Sequence, residues 1–540
     1  MESLAADLRE MRRIPLTPEH LEAIRAIGEE RRFDAGQMVL RPGDDMKEFM
    51  LVEEGEIVIV DALTLERTQP HGLGPGQFMG EISFLQGGRN ALPMRAIVPS
   101  RVTVVPRLAM LDLMARVPEM SDIILTVFAA RRRRQIEEGD TDLRLVGHPD
   151  DKALNRIAAF ASRNRIAFLR LEEDDVEAVA LRTKHDLPAN EAFVAFGHEQ
   201  ILRNPMPVDV ARLLGVGLSA VNGEVLDVLI IGAGPAGVAA GVYAGAEGLS
   251  ALVLEDLAVG GQAGQSSRIE NYMGFPTGVS GADLVWRGEV QALKFGTRFA
   301  VPVRVASLEK QDDGLFCATT EGGEKLCAHA IVVATGVQYR RLPLKRLEHF
   351  EGAGVYYAAT DLEARFCKGT KAVIIGGGNS AGQAAMHLSR HAAHVHIVVR
   401  GASLAASMSH YLASRLAADP AITVHYQSEV IALHGEIALE AITLREGGTE
   451  RIIPTKAMFV MAGAAPNTGW LGSLLALDRS GFILTGQEAG AASPLETSVR
   501  GIFAVGDVRA GSTKRVASAV GEGSVVIAKA WEHVRREPGS

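Results

Sequence analysis

Cysteine is scarce in this sequence. Among 540 residues there are only three, Cys317, Cys327 and Cys367, and no two have the Cys-x-x-Cys spacing. This scarcity argues against a disulfide scaffold and against a metal site built from cysteine. We therefore expect no metal centre.

Long apolar runs and net positive charge are also lacking. No uninterrupted apolar run approaches the roughly 20 residues that cross a bilayer, and residues 1–32 are charged and amphipathic without the apolar core of a signal peptide. The formal net charge of -9 weighs against a nucleic-acid partner, whose affinity rests on basic surface. We therefore expect a soluble, cytoplasmic protein that binds neither membrane nor nucleic acid.

What the sequence does have is length, glycine and apolar material. The 540 residues are enough for several domains of about 100–200 residues each. An apolar content of 47% supplies their cores, and 57 glycines predict many tight turns. The chemistry is concentrated in two glycine-rich loops, each placed between a predicted strand and a predicted helix.

The first loop follows the strand predicted over residues 226–231 and has the pattern Gly-x-Gly-x-x-Gly. The first glycine allows the tight turn, the second lets a pyrophosphate approach the backbone, and the third lets the helix pack on the sheet. An acid that ends the next strand, predicted over 251–254, is placed to hold an adenosine ribose. These features predict a dinucleotide site at Gly232, Ala233, Gly234, Pro235, Ala236, Gly237 and Glu255.

The second loop follows the strand predicted over residues 371–375 and has the pattern Gly-x-Gly-x-x-Ala. The next strand, predicted over 395–399, ends in Arg400 rather than in an acid. An acid there binds the free 2′-hydroxyl of NAD, whereas an arginine suits the 2′-phosphate of NADP. Arg400 therefore favours NADPH, with NADH as the alternative. The predicted site comprises Gly376, Gly377, Gly378, Asn379, Ser380, Ala381 and Arg400.

Four further segments accompany the two loops: Gly260-Gly261-Gln262, Ile269-Glu270-Asn271-Tyr272, Val333-Ala334-Thr335-Gly336 and Gly501-Ile502-Phe503-Ala504-Val505-Gly506-Asp507. Together with the loops, these segments resemble the thioredoxin reductase family. The resemblance implies two α/β Rossmann-like domains: an FAD domain of residues 219–344 and 469–540, and an inserted NAD(P)H domain of residues 345–468. Ala462-Gly463-Ala464-Ala465-Pro466-Asn467-Thr468 would be the return crossing between them.

The same resemblance implies further cofactor residues. Asp507 would meet the ribityl and pyrophosphate region, and a helix that begins beside the flavin's pyrimidine edge would stabilise the negative charge of the reduced ring. The implied FAD residues are Gly261, Gln262, Asn271, Ala334, Thr335, Gly336, Gly506, Asp507, Arg515, Val516 and Ala517, and the implied NAD(P)H residue is Gly463.

One feature of that family is missing. Where it carries Cys-Ala-Thr-Cys, this sequence reads Ala358-Ala359-Thr360-Asp361. Ala358 and Asp361 cannot form the redox-active disulfide, because thiol relay needs a nucleophilic thiolate and a resolving partner. Cys367 is expected to be a packing residue. Cys317 and Cys327 flank a predicted hairpin turn, where a loop of even length would put their side chains on opposite faces and an odd loop with a bulge would pair them.

Residues 1–137 alternate short apolar strands with glycine turns and end in a helix. Phe78-Met79-Gly80-Glu81 and Arg89-Asn90-Ala91 resemble the phosphate cassette of the cyclic-nucleotide-binding domain of the catabolite-activator type. The resemblance implies a β jelly-roll with a C-terminal helix, in which Glu81 binds the ribose 2′-hydroxyl and Arg89 the cyclic phosphate. The candidate ligands of cAMP or cGMP are Gly80, Glu81, Arg89, Asn90 and Ala91; the alternative is a domain that has lost its ligand. The basic run 131–134 is expected to be a solvated cap at the C-terminus of the last helix.

Residues 138–218 form a third predicted unit, with the order strand, helix, strand, helix, strand. The strands are predicted over 142–146, 166–171 and 192–196, and the helices over 152–164 and 177–183. This order resembles a thioredoxin or glutaredoxin fold without its reactive cysteines, since the first strand runs into Gly147-His148-Pro149-Asp150-Asp151. We expect a docking or spacer role.

These features predict an FAD-dependent NAD(P)H oxidoreductase that passes electrons directly to oxygen, a quinone, ferredoxin or another small redox molecule, under control of a cyclic nucleotide. Two alternatives remain open. One is a sensor or scaffold with little turnover, and the other is a thioredoxin-disulfide reductase that uses Cys317, Cys327 or Cys367. The resembled family commonly forms two-fold dimers, so a homodimer is compatible with this prediction.

Overall fold

The computed structural model describes the chain except for residues 1–14, 62–64, 70–71, 91, 139–140, 150, 189, 198, 219–222, 267–268, 270, 340–341, 352, 358, 360–363, 365–366, 406, 462–463 and 536–540. The chain divides into two compact units. The first comprises Met1–Ile230, Gly241–Val259 and Glu289–Ala330, and the second Ile231–Ala240, Gly260–Gly288 and Ile331–Ser540. Among the described residues, no helix is long and apolar enough to cross a membrane.

The first unit begins with two antiparallel sheets, of order β1-β7-β3-β5 and β2-β6-β4. Apolar side chains from both sheets form one core, and a helical segment follows β7. The strands are β1 (Glu29–Phe33), β2 (Met38–Leu40), β3 (Glu48–Glu54), β4 (Ile57–Ile59), β5 (Phe78–Met79), β6 (Met94–Ala96) and β7 (Ser100–Pro106). The helices are α1 (Pro18–Arg25), α2 (Ser83–Gln86), α3 (Arg107–Arg116) and α4 (Pro118–Glu138).

The middle module, residues 141–218, has a mixed sheet of order β11-β10-β8-β9. β8 and β9 are parallel, whereas β10 is antiparallel to both β8 and β11. Its elements are β8 (Leu143–Val146), α5 (Lys152–Arg163), β9 (Leu169–Leu171), α6 (Val176–Lys184), β10 (Phe193–Phe196), β11 (Gln200–Arg203) and α7 (Pro207–Leu214). The five predicted elements are present, although β9 begins three residues later than predicted; β11 and α7 were not predicted.

Local sequence explains the helix ends in this module. The side chain of Asp151 accepts hydrogen bonds from the amides of Ala153 and Leu154 and so caps α5. Pro207 occupies the first turn of α7, and Gly215 ends it in the left-handed conformation, with φ of 71°. Apolar side chains from α5, α7 and the sheet then form the module's core.

A larger sheet follows, of order β14-β13-β12-β17-β16-β15. Its strands are β12 (Leu226–Ile231), β13 (Ala251–Leu254), β14 (Arg298–Ala300), β15 (Val305–Lys310), β16 (Phe316–Thr320) and β17 (Lys325–Val333). In the second unit, Ile331 to Val333 pair in parallel with β28 (Ile502–Ala504). The helices along this part of the chain are α8 (Pro235–Ala246), α9 (Gly261–Gly264) and α10 (Gly281–Lys294), and α14 (Val516–Arg535) follows β28.

The hairpin between β16 and β17 decides between the two alternatives that the sequence left open for Cys317 and Cys327. Cys317 lies directly opposite Cys327 in the antiparallel register, and the two form a disulfide. Because the pairing closes around a loop of odd length, both side chains lie on one face of the sheet. The odd-loop alternative is therefore the correct one.

The second unit contains a parallel sheet of order β19-β26-β20-β21-β22 and an antiparallel sheet of order β23-β24-β25. The strands are β18 (Val337–Tyr339), β19 (Val355–Tyr356), β20 (Lys371–Ile375), β21 (His394–Val398), β22 (Ile422–His425), β23 (Ser428–His434), β24 (Ala441–Glu446), β25 (Thr449–Pro454), β26 (Ala457–Val460) and β27 (Ala464–Pro466). The helices are α11 (Leu347–Phe350), α12 (Asn379–Leu388) and α13 (His410–Ala418).

Candidate functional site

The first glycine loop has the geometry that its sequence predicts. Gly232 has φ of 105°, and a Cβ built on it would strike the carbonyl oxygen of Ala334. A Cβ on Gly237 would strike the carbonyl oxygen of Gly232, so only glycine lets the helix start this close to the turn. Among the described residues, no heavy atom lies within 4 Å of a Cβ built on Gly234. That opening is where a pyrophosphate would approach the backbone.

Three separately predicted flavin segments meet this loop within the second unit. The amide of Gly260 donates to the carbonyl oxygen of Ala233 at 2.8 Å, and a Cβ on Gly261 would lie 3.1 Å from the Cα of Gly234. The amide of Ala334 bonds to the carbonyl oxygen of Ile231 at 2.7 Å. A Cβ on Gly506 would lie 3.1 Å from the Cβ of Ala236. The loop, α9, the end of β17 and the end of β28 therefore form one glycine-lined cleft.

Gln262 contributes an unsatisfied acceptor to this cleft. Its Nε2 donates to the carbonyl oxygen of Val337 at 3.3 Å. Its Oε1 is buried and, among the described residues, has no hydrogen-bond partner. A buried acceptor without a donor costs stability unless a ligand supplies one. The ring and ribityl groups of FAD carry such donors, so this residue and the glycine cradle fit that cofactor.

The segment from Gly506 to α14 places an acid and a helix N-terminus together. Glu522 accepts from the amide of Gly506 at 2.7 Å and pairs with Arg509 at 2.5 Å, which fixes the turn after β28. Burial raises the pKa of Asp507, although the Lys514 ammonium opposes the shift. The amide of Ala519 donates to the carbonyl oxygen of Arg515. The amides of α14 before Ala519 therefore have no partner within the helix. Arg515 and Ala517 are exposed there, and Asn271 is exposed on its own segment.

Glu255 lies in the first unit, at the end of β13. The residue is buried, with 8% exposed, and its Oε1 accepts from the amide of Leu257 at 3.1 Å. The backbone amide of Glu255 bonds to Ala300 and its carbonyl to Val303, so the strand end is fixed on both sides. The predicted ribose-binding acid is thus held in one orientation.

The second glycine loop repeats the pattern in a tighter form. Gly376 has φ of 141°, and a Cβ on it would strike the carbonyl oxygen of Met461. Gly378 precedes α12 with no side-chain cap, and the nearest described atom to a Cβ on it is the Ser407 carbonyl oxygen, at 3.8 Å. Ala381 is fully buried against the sheet, which explains why alanine suffices at the third position. The helix N-terminus is therefore open to a phosphate.

The arginine predicted for the second glycine loop is exposed. Arg400 follows β21 and its side chain is exposed. Leu404 is buried in the core below the loop, at 5% exposed, and the Asn379 side chain accepts from the amide of Ser409 at 2.8 Å. Arg400 is therefore exposed after β21, and the described residues that follow it in the loop include no acid.

A two-stranded ribbon joins the two dinucleotide regions in the second unit. β18 pairs with β27 in antiparallel register. Thr335 Oγ1 donates to the Asn467 carbonyl oxygen at 2.9 Å, and the Asn467 amide donates to the Gly336 carbonyl oxygen at 3.2 Å. The predicted return crossing therefore meets the flavin-side segment.

The cyclic-nucleotide cassette lies in the first unit and its acid already has partners. Glu81 is 8% exposed. Its Oε1 accepts from the Ser83 amide at 3.0 Å, and its Oε2 accepts from Nε of Arg132 at 2.8 Å and also from Nη2. Gly80 has φ of 122°, and a Cβ on it would meet the Phe128 ring. α4 therefore packs directly on the cassette.

Two further predicted ligands, Arg89 and Asn90, are also engaged. Arg89 Nη1 donates to the carbonyl oxygen of Leu213 at 3.1 Å, and Arg89 lies 3.7 Å from Asp45. Asn90 is 7% exposed and its amide group donates to the Arg41 carbonyl oxygen at 3.2 Å. Asn90 therefore acts as a brace for the turn after β2, a role that its own backbone shares by accepting from the Gly43 amide.

The basic run at the end of α4 is not a solvated cap, and that prediction is wrong for three of its four members. Arg131 donates to the Gly80 carbonyl oxygen at 2.9 Å and lies over the Phe78 ring. Arg132 pairs with Glu81, and Arg134 donates to the Gln69 side chain at 2.6 Å. Arg133 pairs along the helix, with Glu137. The run of consecutive basic residues in the sequence does not reveal these contacts, because three of the side chains bind acceptors that are remote in sequence.

Four predicted residues lie outside the described part of the chain: Ala91, Ala358, Asp361 and Gly463. Cys367 is described and is fully buried in the core of the parallel sheet, as a packing role requires. Among the described residues, no group of three or more metal-binding side chains comes together.

Comparisons with known proteins agree with this geometry. Residues 226–523 match the family described as pyridine nucleotide-disulphide oxidoreductase, and residues 30–117 match the cyclic nucleotide-binding domain family. The chain is 36% identical over 304 residues to a thioredoxin reductase of Streptomyces clavuligerus, covering 56% of this chain and 91% of that protein. It is 34% identical over 326 residues to NADPH-dependent thioredoxin reductase 3 of Arabidopsis thaliana, covering 58% of this chain and 60% of the Arabidopsis protein.

Solved structures give the same result. The chain is similar to the Lactococcus lactis thioredoxin reductase in its FR conformation, with a TM-score of 0.53 and 27% identity over 57% of this chain and 99% of that one. It is also similar to the T. acidophilum thioredoxin reductase, with a TM-score of 0.52 and 28% identity over 57% of this chain and 98% of that one.

Proposed function

The chain belongs to the pyridine nucleotide-disulphide oxidoreductase family, and we propose that it oxidises NADPH through bound FAD and passes the electrons to an acceptor without a Cys-x-x-Cys pair. The observation that supports this most strongly is the pair of open glycine loops, each preceding a helix, in a chain whose relay cysteines are replaced. FAD supplies the hydride acceptor when bound.

Each cofactor residue has a role that follows from its position. The backbone at Gly234 and Gly336 leaves room for the pyrophosphate and the ring, and Glu255 binds the adenosine ribose. Gln262 Oε1 accepts from the flavin. The N-terminus of α14 would lie beside the flavin and would stabilise negative charge on the reduced cofactor. On the nicotinamide side, α12 receives the pyrophosphate and Arg400 the 2′-phosphate.

The electron exit is where this chain departs from its relatives named thioredoxin reductase. Ala358 and Asp361 replace the relay cysteines, and Cys367 is fully buried. A buried thiol cannot act as the exposed nucleophile that relay needs. The proposed acceptor is therefore oxygen, a quinone, ferredoxin or another small redox molecule that reaches the flavin directly.

The amino-terminal domain supplies regulation in this proposal. It binds cAMP or cGMP, with Glu81 on the ribose and Arg89 on the cyclic phosphate. A ligand shifts a conformational equilibrium only by its differential affinity for the two states. The middle module, whose sheet order supports the thioredoxin-like interpretation, acts as the spacer that links the two functions. The same proposal includes three further statements: the first domain is a β jelly-roll, the protein is cytoplasmic, and it forms a homodimer.

The test is anaerobic stopped-flow mixing of FAD-loaded protein with NADPH. Bleaching of the flavin absorbance within seconds is expected, followed by reoxidation in a screen of oxygen, quinones and ferredoxin, with and without cAMP or cGMP. A flavin that NADPH does not bleach would contradict the oxidoreductase and favour the sensor or scaffold. An oxidation rate unchanged by both nucleotides at saturation would contradict the regulation alone.

One observation favours a second candidate, disulfide reduction through unconventional cysteines. Cys317 and Cys327 are already paired, and Cys327 is partly exposed. If this pair relays electrons, replacing Cys317, Cys327 and Cys367 together with alanine abolishes disulfide reduction while NADPH still bleaches the flavin. Full activity of that triple variant on every accepted substrate would reject the candidate.

A further inference from the structure

The residues expected to hold a cyclic nucleotide are held instead by the chain's own middle module. Arg89, the expected phosphate ligand, donates to the Leu213 carbonyl oxygen, and its backbone amide bonds to the Leu214 carbonyl oxygen at 3.2 Å. Both carbonyls lie at the C-terminus of α7, where the helix dipole concentrates partial negative charge. A helix end thus takes the place that an anionic phosphate would fill.

Arg132 makes the corresponding link for the expected ribose ligand. Its guanidinium pairs with Glu81, donates to Ser83 Oγ at 2.8 Å and donates to the carbonyl oxygen of Arg165 at 3.2 Å. Arg165 follows α5 with φ of 54°, an unusual conformation for a residue with a side chain. One guanidinium therefore joins the cassette acid to the turn after α5.

A third contact involves the turn after β2. A Cβ built on Gly43 would lie 2.6 Å from Gln200 Nε2, and one built on Gly197 would lie 2.6 Å from the Cβ of Pro42. The turn that carries Pro42 and Gly43 is the one that Asn90 braces. The module thus touches the cassette region at three places that are remote in sequence.

We propose that the cassette of residues 80–90 is an intramolecular docking surface for the middle module, that a cyclic nucleotide binds by displacing the module from it, and that Arg132 is the positioning residue that couples the two events. This inference rests on the proposed function, because it requires that a cyclic nucleotide binds. A phosphate carries a full charge and binds a guanidinium more strongly than a carbonyl oxygen does. The ribose hydroxyl competes with Arg132 for Glu81.

The module also contacts segments of the large sheet within the first unit. Asn164 Nδ2 donates to the Leu257 carbonyl oxygen at 3.1 Å, and the amide of Val301 bonds to the Val216 carbonyl oxygen at 3.2 Å. Phe160 and Ala211 pack against Val301. Displacement of the module from the cassette would therefore perturb these contacts at the ends of β13 and β14. The contacts give regulation a physical route.

The first test perturbs the surface from the module side and leaves the cassette residues intact. A Cβ at Gly215 would meet Arg89 Cγ at 3.2 Å and its amide nitrogen at 3.3 Å, on a backbone with φ of 71°. Gly215→Val should weaken docking and, by linkage, raise the affinity for cAMP or cGMP about tenfold in calorimetric titration. Gly217→Val is the matched control, since the nearest atom to its Cβ is 3.9 Å away, and its affinity should equal that of the unmodified protein.

The second test uses hydrogen exchange on the full FAD-loaded chain. Saturating nucleotide should speed exchange at residues 165–166 and 213–216 at least tenfold. In Arg132→Gln, exchange at 165–166 should be fast without nucleotide and change less than twofold when it is added. Arg133→Gln, which removes only the exposed pair with Glu137, should behave like the unmodified protein.

The outcomes separate this inference from the proposed function. Nucleotide binding with unchanged exchange at residues 165–166, or an affinity in Gly215→Val equal to or below that of Gly217→Val, overturns the docking inference and leaves the oxidoreductase untouched. Failure of both nucleotides to bind overturns docking and regulation together. Absence of flavin bleaching by NADPH overturns the oxidoreductase, while the exchange data still decide docking.

Discussion

The cyclic-nucleotide cassette and the glycine loops are both proposed phosphate sites, and they differ in which groups of the chain already contact their residues. Glu81 and Arg89 already have charged or polar partners from their own chain. By contrast, among the described residues, no heavy atom lies within 4 Å of a Cβ built on Gly234 or on Gly336. The cassette is closed by intramolecular contacts, and the loops are open.

The difference has an energetic consequence. A ligand that enters an open cradle gains its contacts without breaking any, so its binding is tight and constitutive. A ligand that enters the cassette must replace existing hydrogen bonds, so its affinity is lowered by the cost of breaking them and its binding is coupled to whatever they held in place. Open sites suit cofactors, and closed sites suit regulators.

The largest effect should come from filling the open cradle. Gly234→Ala places a methyl group where the described protein has space, so the apoprotein should keep its thermal stability. The FAD pyrophosphate would meet that methyl group, and FAD affinity should fall at least 100-fold, leaving colourless protein and no NADPH oxidation. Flavin absorbance after reconstitution and the melting temperature of the apoprotein measure the two quantities. Gly74→Ala, also in open space, is the control. Yellow, active Gly234→Ala protein would show that the loop is not the flavin site.

The next effect should appear at the second loop. Arg400→Ala removes the one cation after β21, so KM for NADPH should rise about 10–100-fold, as expected for loss of a charge-assisted phosphate contact, while KM for NADH stays the same. Steady-state kinetics with both nucleotides give the comparison. Arg390→Ala, an exposed arginine after α12, should change neither value. Equal loss with NADH and NADPH would assign Arg400 a structural role.

The contrast between open and closed sites also separates the features that could be predicted from the sequence from those that could not. The loops were predictable because their glycines are required by local backbone geometry, as at Gly232 and Gly237. The closure of the cassette was not predictable, because Arg132 meets Glu81 across 51 residues and Arg89 meets Leu213 across 124. Periodicity carries no information on such contacts. The pairing of Cys317 with Cys327 was left open for a related reason, since it depends on the length of one hairpin loop.

A smaller effect, on the free energy of unfolding, should come from Glu289, whose carboxyl is influenced by Arg132 of the closed cassette. Burial raises the pKa of Glu289 on α10 to about 7, and the Arg165 and Arg132 guanidinium groups oppose the shift. Because the folded pKa lies above the unfolded one, the contribution to stability is complete below about pH 4.5 and is lost as the pH rises through 7. Glu289→Gln should therefore stabilise the protein by about 1–3 kcal/mol at pH 8 relative to the unmodified chain, and by almost nothing at pH 4.5.

Chemical denaturation at the two pH values measures this difference. Glu309→Gln, on the exposed face of β15, should show none of it. A stabilisation that is the same at pH 4.5 and pH 8 would mean that the Glu289 carboxyl is not the titrating group. Making Glu289→Gln in an Arg132→Gln background tests the link to the cassette. Arg132 opposes the rise in the Glu289 pKa, so without it the stabilisation by Glu289→Gln at pH 8 should be larger.

The smallest effect on turnover should come from the Cys317–Cys327 pair, which belongs to neither the cassette nor a glycine loop. Closing a loop of ten residues stabilises the folded state by about 2–3 kcal/mol in the chain-entropy model, so replacing both residues with serine should lower the unfolding free energy by up to that amount. The rate at which the acceptor reoxidises the NADPH-reduced flavin should stay the same, because the proposed electron path does not include sulfur. Cys367→Ser is the control for loss of a buried thiol. A rate of flavin reoxidation by the acceptor that falls in the double serine variant and not in the control would place the disulfide on the electron path and make the open flavin site only the first of two redox centres.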